Sequence, residues 1–453
     1  MQFLDDSLLP ENQQPLVIQV APFGPQFLPE DSDDIPVTMD AQIQKAVDCY
    51  NAGATVLHVH CRESDGKGSK RISRFNETLA LLRQAVPDML LQVGGSISFA
   101  PEDAGSEAKW LSDDTRHMLA ELNPKPDQVT IAINTNQMNV TELLTPEDCG
   151  NTSMGRSPYY EAYREMTIPS GPAFVEEHLK RLQASGIQPH FMLADVGQLE
   201  TVERLIRRGK YTGPVVLNWV AIGGGADGPN PRNMMEFINR CPEGAVLSIE
   251  SIMRNVLPLT TMAIAMGLHT RVGIEDNLWG KKGELMSSVQ QVEQQVRIAR
   301  ELHREVATGQ QAKAIYRIGE HYNSVDETLA RVGYHPTAHP DSVAFPCVLQ
   351  PDIYNEETHH DNTHNTCYTP HRHGRSGPGT GLAGWRGFRA VCRQMAGKTH
   401  PHSGGRASRW QCRHSGARRR GWPVQSAGPA GDRGQQAWRH GWHCHRRTVL
   451  CAA

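Results

Sequence analysis

The chain has 453 residues, enough for one large domain or two to three ordinary ones. Its formal net charge of -3 hides two unlike parts: after Asp361 a single acidic residue, Asp432, stands against sixteen Lys or Arg, so the front is acidic and the end strongly basic. No stretch reaches the ~18–20 apolar residues of a membrane span, and the opening "MQFLDDSLLPENQQP" lacks the basic and apolar regions of a signal peptide, so neither a membrane-spanning helix nor a signal peptide is expected. Cys49, Cys61, Cys149 and Cys241 show no paired spacing, which points to a reducing cytoplasm, and six further cysteines lie from Cys347 onward.

From residue 15 to about 310, short apolar runs alternate with helix-like segments. The runs predicted as strands cover residues 15–24, 55–63, 88–96, 127–136, 188–195, 213–223, 244–251 and 270–277. They are near-continuous in apolar residues, as parallel strands covered on both faces should be. Between them, "TMDAQIQKAVDCYNAGA" reads as a helix capped near Asp40 and stopped at Gly53, "ETVERLIRRG" ends at Gly209, and residues 283–309 read as one long helix. Eight strands, each followed by a helix, give the count and size of a (β/α)8 TIM barrel spanning residues 1–310. A doubly wound open sheet is the competitor, but its Gly-rich fingerprint is missing, because "APFGPQ" after the first strand carries one glycine.

Two insertions fall on the face where such barrels do chemistry. One is the excursion 137–171 after the fourth strand. The other is "IGGGADGPNP" after the sixth, whose amides could cradle a phosphate or carbonyl, or simply make a tight turn. Residues 311–345 read as a helical extension. From residue 346 to 453 aliphatic residues are few and Arg, Gly, His, Trp and Cys dominate, which predicts a disordered, basic tail. Its composition suits a frameshift or read-through product of a GC-rich gene better than a nucleic-acid-binding tail.

The second strand ends "ATVLHVHCRESDG". Residues two apart share a strand face, so His58 and His60 project together while Leu57 and Val59 face the other way. Two imidazoles on a buried face need a hydrogen-bond network or a metal. The eighth strand ends "RVGIEDN", and on closure of the barrel its Glu275–Asp276 pair comes within reach of the histidines. Two His and one carboxylate with an open position make a catalytic zinc set. On an extended backbone Glu275 and Asp276 point to opposite sides; at a strand end both could reach the mouth, one as ligand and the other as general base. Arg271, four residues before Glu275, could pair with either carboxylate. Glu250 and Ser251, ending the seventh strand, are further mouth residues. Arg254 suits a surface salt bridge better than a grip on an anion, and Trp219 suits barrel packing.

These residues resemble a known family. "HVHCRESDG", "DGKGSKRISRF", "KPDQVTIA" and "RVGIEDN" together, in this order, look like the β-keto acid cleavage enzymes, over residues 15 to about 310. The resemblance implies a zinc-dependent (β/α)8 barrel that condenses a β-keto acid with acetyl-CoA and releases acetoacetate and a new acyl-CoA. It implies His58, His60 and Glu275 as zinc ligands, Asp276 as the base at C2 of the keto acid, Arg271 as the stabiliser of negative charge, and Thr130 as a substrate contact. It also marks two departures. Gln26 stands where members with amino substrates carry a glutamate, and Gly94-Gly95-Ser96 stands where a serine contacts substrate, so a primary-amine substrate is not expected. Metal and acetyl-CoA are the cofactors and co-substrate implied, with a homo-oligomer expected by analogy and no membrane or nucleic-acid partner.

Two other readings compete. A zinc hydrolase of the amidohydrolase kind also opens with H-x-H on a barrel strand, but it wants histidines ending the fifth and sixth strands. Here His190 sits at the start of the fifth, and the sixth offers Asn218 and Trp219. A nucleic-acid binder would act through the tail, and deleting residues 347–453 would cost it affinity, whereas an enzyme would keep its turnover.

Overall fold

The structure, a computed structural model, describes residues 1–336 except 70, 95–96, 99–108 and 111–112. Gly95, Ser96 and the basic segment 346–453 therefore lie outside the described residues. The first of two compact units, Met1–Asp352, contains every described residue.

All eight predicted strands form, and they close into a parallel barrel. In chain order they are β1 (Ile18–Val20), β2 (Val56–Val59), β3 (Leu90–Val93), β4 (Gln128–Ala132), β5 (Gln188–Leu193), β6 (Val216–Ala221), β7 (Val246–Ser251) and β8 (His269–Val272). Each pairs with its predecessor, and β8 pairs back onto β1 through Gln19 and Arg271. The helices that follow them are α1 (Met39–Ala52), α2 (Ile72–Ala85), α3 (Asp113–Met118), α4 (Pro172–Ser185), α5 (Val196–Arg207), α6 (Pro231–Arg240), α7 (Val256–Ala265) and α8 (Ser288–Glu301). The protein is a (β/α)8 barrel.

Strand alternation divides the residues between two environments. Leu57, Val59, Leu91 and Val93 face outward and pack on Phe75, Leu79 and Leu82 of α2. Those three sit at helical spacing, and each such burial contributes about 1.5–3 kcal/mol. Their alternating neighbours His58 and Gln92 face the barrel axis, where they bond each other. The N-terminal end of the barrel is closed by α9 (Gly309–Ile315): Ala312 and Tyr316 pack on Val17, Val56, Leu90, Val216 and Val246.

Two local expectations change. The α1 cap is Thr38, whose Oγ1 accepts from the Ala41 amide at 3.2 Å, while Asp40 lies inside the first turn. The long helix predicted over 283–309 is only Ser288–Glu301, because Ser287 and Gln290 form a reciprocal cap that fixes its start. In the described part of the extension, up to residue 336, the helices are α9 and α10 (Val325–Val332).

The excursion 137–171 folds over the C-terminal mouth. Asn136–Gln137 pairs antiparallel with Thr167–Ile168, and the buried Met138, Val140, Met154 and Tyr163 join Val220, Ile222 and Ile252 in an apolar roof. Asp31 pins this roof to the loop after β1, accepting from the Ser153 amide at 2.6 Å.

Candidate metal centre

Where β2 and β8 stop decides the site. β2 ends at Val59, so His60 follows immediately on the face of His58. β8 ends at Val272, because Gly273 takes φ 134° and an added Cβ there would fall 2.4 Å from the Ala21 carbonyl oxygen. The chain turns, with the Asp276 amide donating to the Gly273 carbonyl at 3.1 Å. The turn removes the alternation that an extended backbone would impose, and both Glu275 and Asp276 line the mouth.

His58 Nε2 and His60 Nε2 lie 3.1 Å apart, and each is 3.5 Å from Glu275 Oε1. A tetrahedral ion with bonds near 2.0–2.2 Å has ligand–ligand edges of roughly 3.3–3.6 Å. The two edges to Glu275 fall in that range and the edge between the histidines lies just below it, and among the described residues this is the group able to hold such an ion. Gly94 of the next loop makes room: a Cβ there would lie 2.5 Å from both Nε2 atoms. Glu275 Oε2 is buried without a partner. Burial, then the Arg271 charge, pushes the His58 ring well below its ordinary range, which leaves a neutral imidazole with a lone pair to give.

The tautomer is set from behind. Gln92 Oε1 lies 2.7 Å from His58 Nδ1 and 2.7 Å from Gln19 Nε2. The Gln19 amide is a donor, so the shared oxygen also accepts from Nδ1–H, and Nε2 is left unprotonated. Gln92 Nε2 in turn donates to Gln128 Oε1 at 3.0 Å, Gln128 Nε2 to Gln188 Oε1 at 2.6 Å, and Gln188 Nε2 to the Tyr316 carbonyl at 2.9 Å. This ladder of amides crosses the barrel interior. Sequence reasoning missed it, although one glutamine in an apolar run on each of β1, β3, β4 and β5 was its signal.

Arg271 stands beside the triangle. Its Nε donates to Asp276 Oδ2 at 2.9 Å, and its Nη2 donates to Asp276 Oδ1 and to Glu275 Oε1, both at 2.9 Å. Glu250 Oε2 is 3.4 Å from Arg271 Nε and accepts from Asn218 Nδ2. Burial opposes the Arg271 charge, but Asp276, Glu250 and Glu275 outweigh it and hold the guanidinium protonated. Burial pushes the Asp276 carboxyl up to about 6 and Glu250 up to about 8, against the pull of Arg271. Burial also opposes ionisation of Glu275, yet the two histidines and Arg271 hold it well below the usual carboxylate range. Three buried carboxyl groups share one guanidinium, so the site has room for further positive charge.

The remaining expected residues fall as follows. Thr130 lines the cleft with its hydroxyl buried and without a hydrogen-bond partner, as does Gln26 with its Oε1. Ser251 is buried and Glu250 alone of that pair lines the cleft. Arg254 Nε pairs with Asp148 at 2.6 Å, and Trp219 packs on Phe237 away from the cleft. In the glycine-rich loop the Gly224 amide donates to Glu142 Oε2 at 3.0 Å, which makes it a turn docked on the roof. At the mouth β5 and β6 present Met192 and Val220, where a hydrolase plan wants histidines. Arg62, also missed, is buried and donates to the carbonyls of Gly24, Phe27 and Gly66, tying the first two loops together.

A family model described as "beta-keto acid cleavage enzyme" matches residues 15–318. The chain belongs to the β-keto acid cleavage enzyme family. Among curated relatives, this family member is 27% identical over 308 residues to 3-keto-5-aminohexanoate cleavage enzyme of Acetoanaerobium sticklandii, covering 67% of this chain and 99% of the relative. The enzyme of the same name from Fusobacterium nucleatum is 27% identical over 304 residues, covering 66% and 97%. A 3-dehydrocarnitine:acetyl-CoA trimethylamine transferase of Rhizobium meliloti is 26% identical over 280 residues, covering 59% and 84%. The β-keto acid cleavage enzyme described here contains, among its described residues, no helix long and apolar enough to cross a membrane.

Proposed function

We propose that this enzyme condenses a β-keto acid with acetyl-CoA and releases acetoacetate and a new acyl-CoA, with a zinc ion held by His58, His60 and Glu275. The observation that carries this is the convergence of two imidazole nitrogens and one carboxylate oxygen, 3.1–3.5 Å apart, at the mouth of a barrel of this family. Acetyl-CoA enters through the name of the Rhizobium relative.

A bound dication supplies Lewis acidity that makes the methylene between the keto and carboxyl carbons easier to ionise. Asp276, in the cleft beside the triangle, takes a proton from C2. The C2 carbon then bonds the acetyl carbon and CoA leaves. CoA next attacks the original keto carbon, the bond between C2 and that carbon breaks with its electron pair left on C2, the chain departs as acyl-CoA, and C2 takes back the proton held by Asp276 to give acetoacetate. Each addition puts negative charge on a carbonyl oxygen, and Arg271 is the cation placed to meet it. The free hydroxyl of Thr130 and the amide of Gln26 contact the substrate, with Gly94, Gly95 and Ser96 at the third loop. The catalytic barrel is residues 1–310, with α9, where the extension 311–345 begins, closing its base and the segment 346–453 taking no part. We further read the enzyme as a cytoplasmic homo-oligomer.

The test is metal analysis of the purified full chain, followed by a panel of β-keto acids with acetyl-CoA in which acetoacetate is scored. Acetoacetate that vanishes in Asp276→Asn supports the reading. Silence across the panel with zinc bound would favour a hydrolase.

A further inference from the structure

Among the described residues, the charged groups lining the cleft are confined to its floor: His58, Glu250, Arg271, Glu275 and Asp276. Above them the described lining is apolar and comes from four separate segments. Met138 and Met154 come from the roof, Met192 from β5, Val220 and Ile222 from the end of β6, and Met253 from beyond β7. Apart from the floor, the polar lining is Thr130 and Gln26, both neutral. The charged side chains nearest the roof are already engaged. Arg254 holds Asp148, Glu142 accepts from the Gly224 amide, Asp31 accepts from Ser153, and Arg62 is spent on backbone carbonyls. None of these side chains lines the cleft itself, where a charge on a substrate would have to be met. An ammonium or carboxylate placed in this lining would be buried unpaired, whereas each methylene gains from leaving water.

We propose that the keto acid carries an uncharged, apolar side group beyond its keto carbon, which occupies this methionine-rich lining. This rests on the β-keto acid reading of the same site and names its substrate class. Flexible, unbranched methionines accommodate differing shapes, so branched and straight aliphatic groups are both accepted.

The decisive pair is 5-methyl-3-oxohexanoate and 5-amino-3-oxohexanoate, which differ by a methyl against an ammonium group. With the full-length metal-loaded enzyme and saturating acetyl-CoA, kcat/KM for the methyl compound should exceed that for the amino compound at least ~100-fold. 3-Oxoadipate, with a carboxylate, should fall equally far behind. Equal rates within threefold, or a preference for either charged compound, would overturn the proposal. Calorimetric binding of the same acids without acetyl-CoA separates it from the reaction. The apolar ranking with no acetoacetate formed would sink the reaction and keep the pocket, while an inverted ranking would sink the pocket.

Gln26→Glu is nearly isosteric and brings one carboxylate into the lining. It should shift the methyl-to-amino ratio at least ~10-fold toward the amine, with an unchanged melting temperature confirming the fold. A second variant, Val220→Asp, tests the opposite wall. If it raised KM for acetyl-CoA and left the ranking of keto acids untouched, the lining would belong to the thioester, and the proposal would be wrong.

Discussion

Gln92 is the residue through which the barrel interior acts on His58 of the proposed metal site. Replacing it with leucine removes the acceptor 2.7 Å from His58 Nδ1 and leaves the imidazole free to rotate or to carry its proton on Nε2. Loss of such an orienting partner typically costs 10–100-fold in metal affinity, or about 1.4–2.7 kcal/mol. A separate cost falls on the fold. Gln19 Nε2 loses its acceptor and Gln128 Oε1 its donor, both buried. At about 1–3 kcal/mol for each group left unpaired, destabilisation of roughly 2–6 kcal/mol is expected. The two effects come apart in Gln92→Glu, which still accepts from His58 and Gln19 but has nothing to donate to Gln128. It should keep the metal affinity and lose stability. The assay is chelator competition for zinc on the folded proteins, with urea unfolding in parallel. A leucine variant that binds zinc within twofold of the parent protein would refute the role assigned to the ladder.

Gly94→Ala places a methyl group 2.5 Å from both Nε2 atoms, so it should lose at least 10-fold in metal affinity while its circular dichroism stays that of the parent. Arg304 donates to the carbonyls of Gln14, Ile264, Gly267 and Leu268. With the Ile264 and Leu268 oxygens buried, Arg304→Met should destabilise by roughly 2–6 kcal/mol in urea, and a loss under 1 kcal/mol would count against it. Burial pushes the thiols of Cys49, Cys61 and Cys241 up to about 12, so they stay protonated at pH 8. Peptide mapping should find these three unmodified by iodoacetamide in the native protein and modified in denaturant.

Much of the fold was legible because a parallel barrel leaves a repetitive trace: eight apolar runs of strand length, each followed by a helical pattern. The histidine pair was legible because period-two spacing survives folding unchanged, and Glu275 because the ends of barrel strands converge. What escaped depended on contacts between distant segments. The sequence left open whether both Glu275 and Asp276 reach the mouth, and the turn at Gly273, beside the Ala21 carbonyl, brings them there together. The helix predicted over residues 283–309 shortened because the Ser287 cap outweighed an uninterrupted helical composition. The place of the excursion 137–171 was legible but its packing was not, since Met138, Met154 and Val220 carry no local mark of meeting above one cleft. Of the two readings of Arg271, the ion pair is what the geometry shows, and the guanidinium that holds Asp276 also lines the cleft.

The central claim is that one divalent ion sits among His58, His60 and Glu275. X-ray absorption at the zinc edge, with metal quantification on the parent protein and on His58→Ala and Glu275→Gln, tests it most directly. One zinc per chain, with two imidazole nitrogens near 2.0–2.1 Å and carboxylate oxygen in its first shell, and clear loss in both variants, is the expected result. Undiminished zinc in both variants, or a first shell containing sulfur, would contradict it.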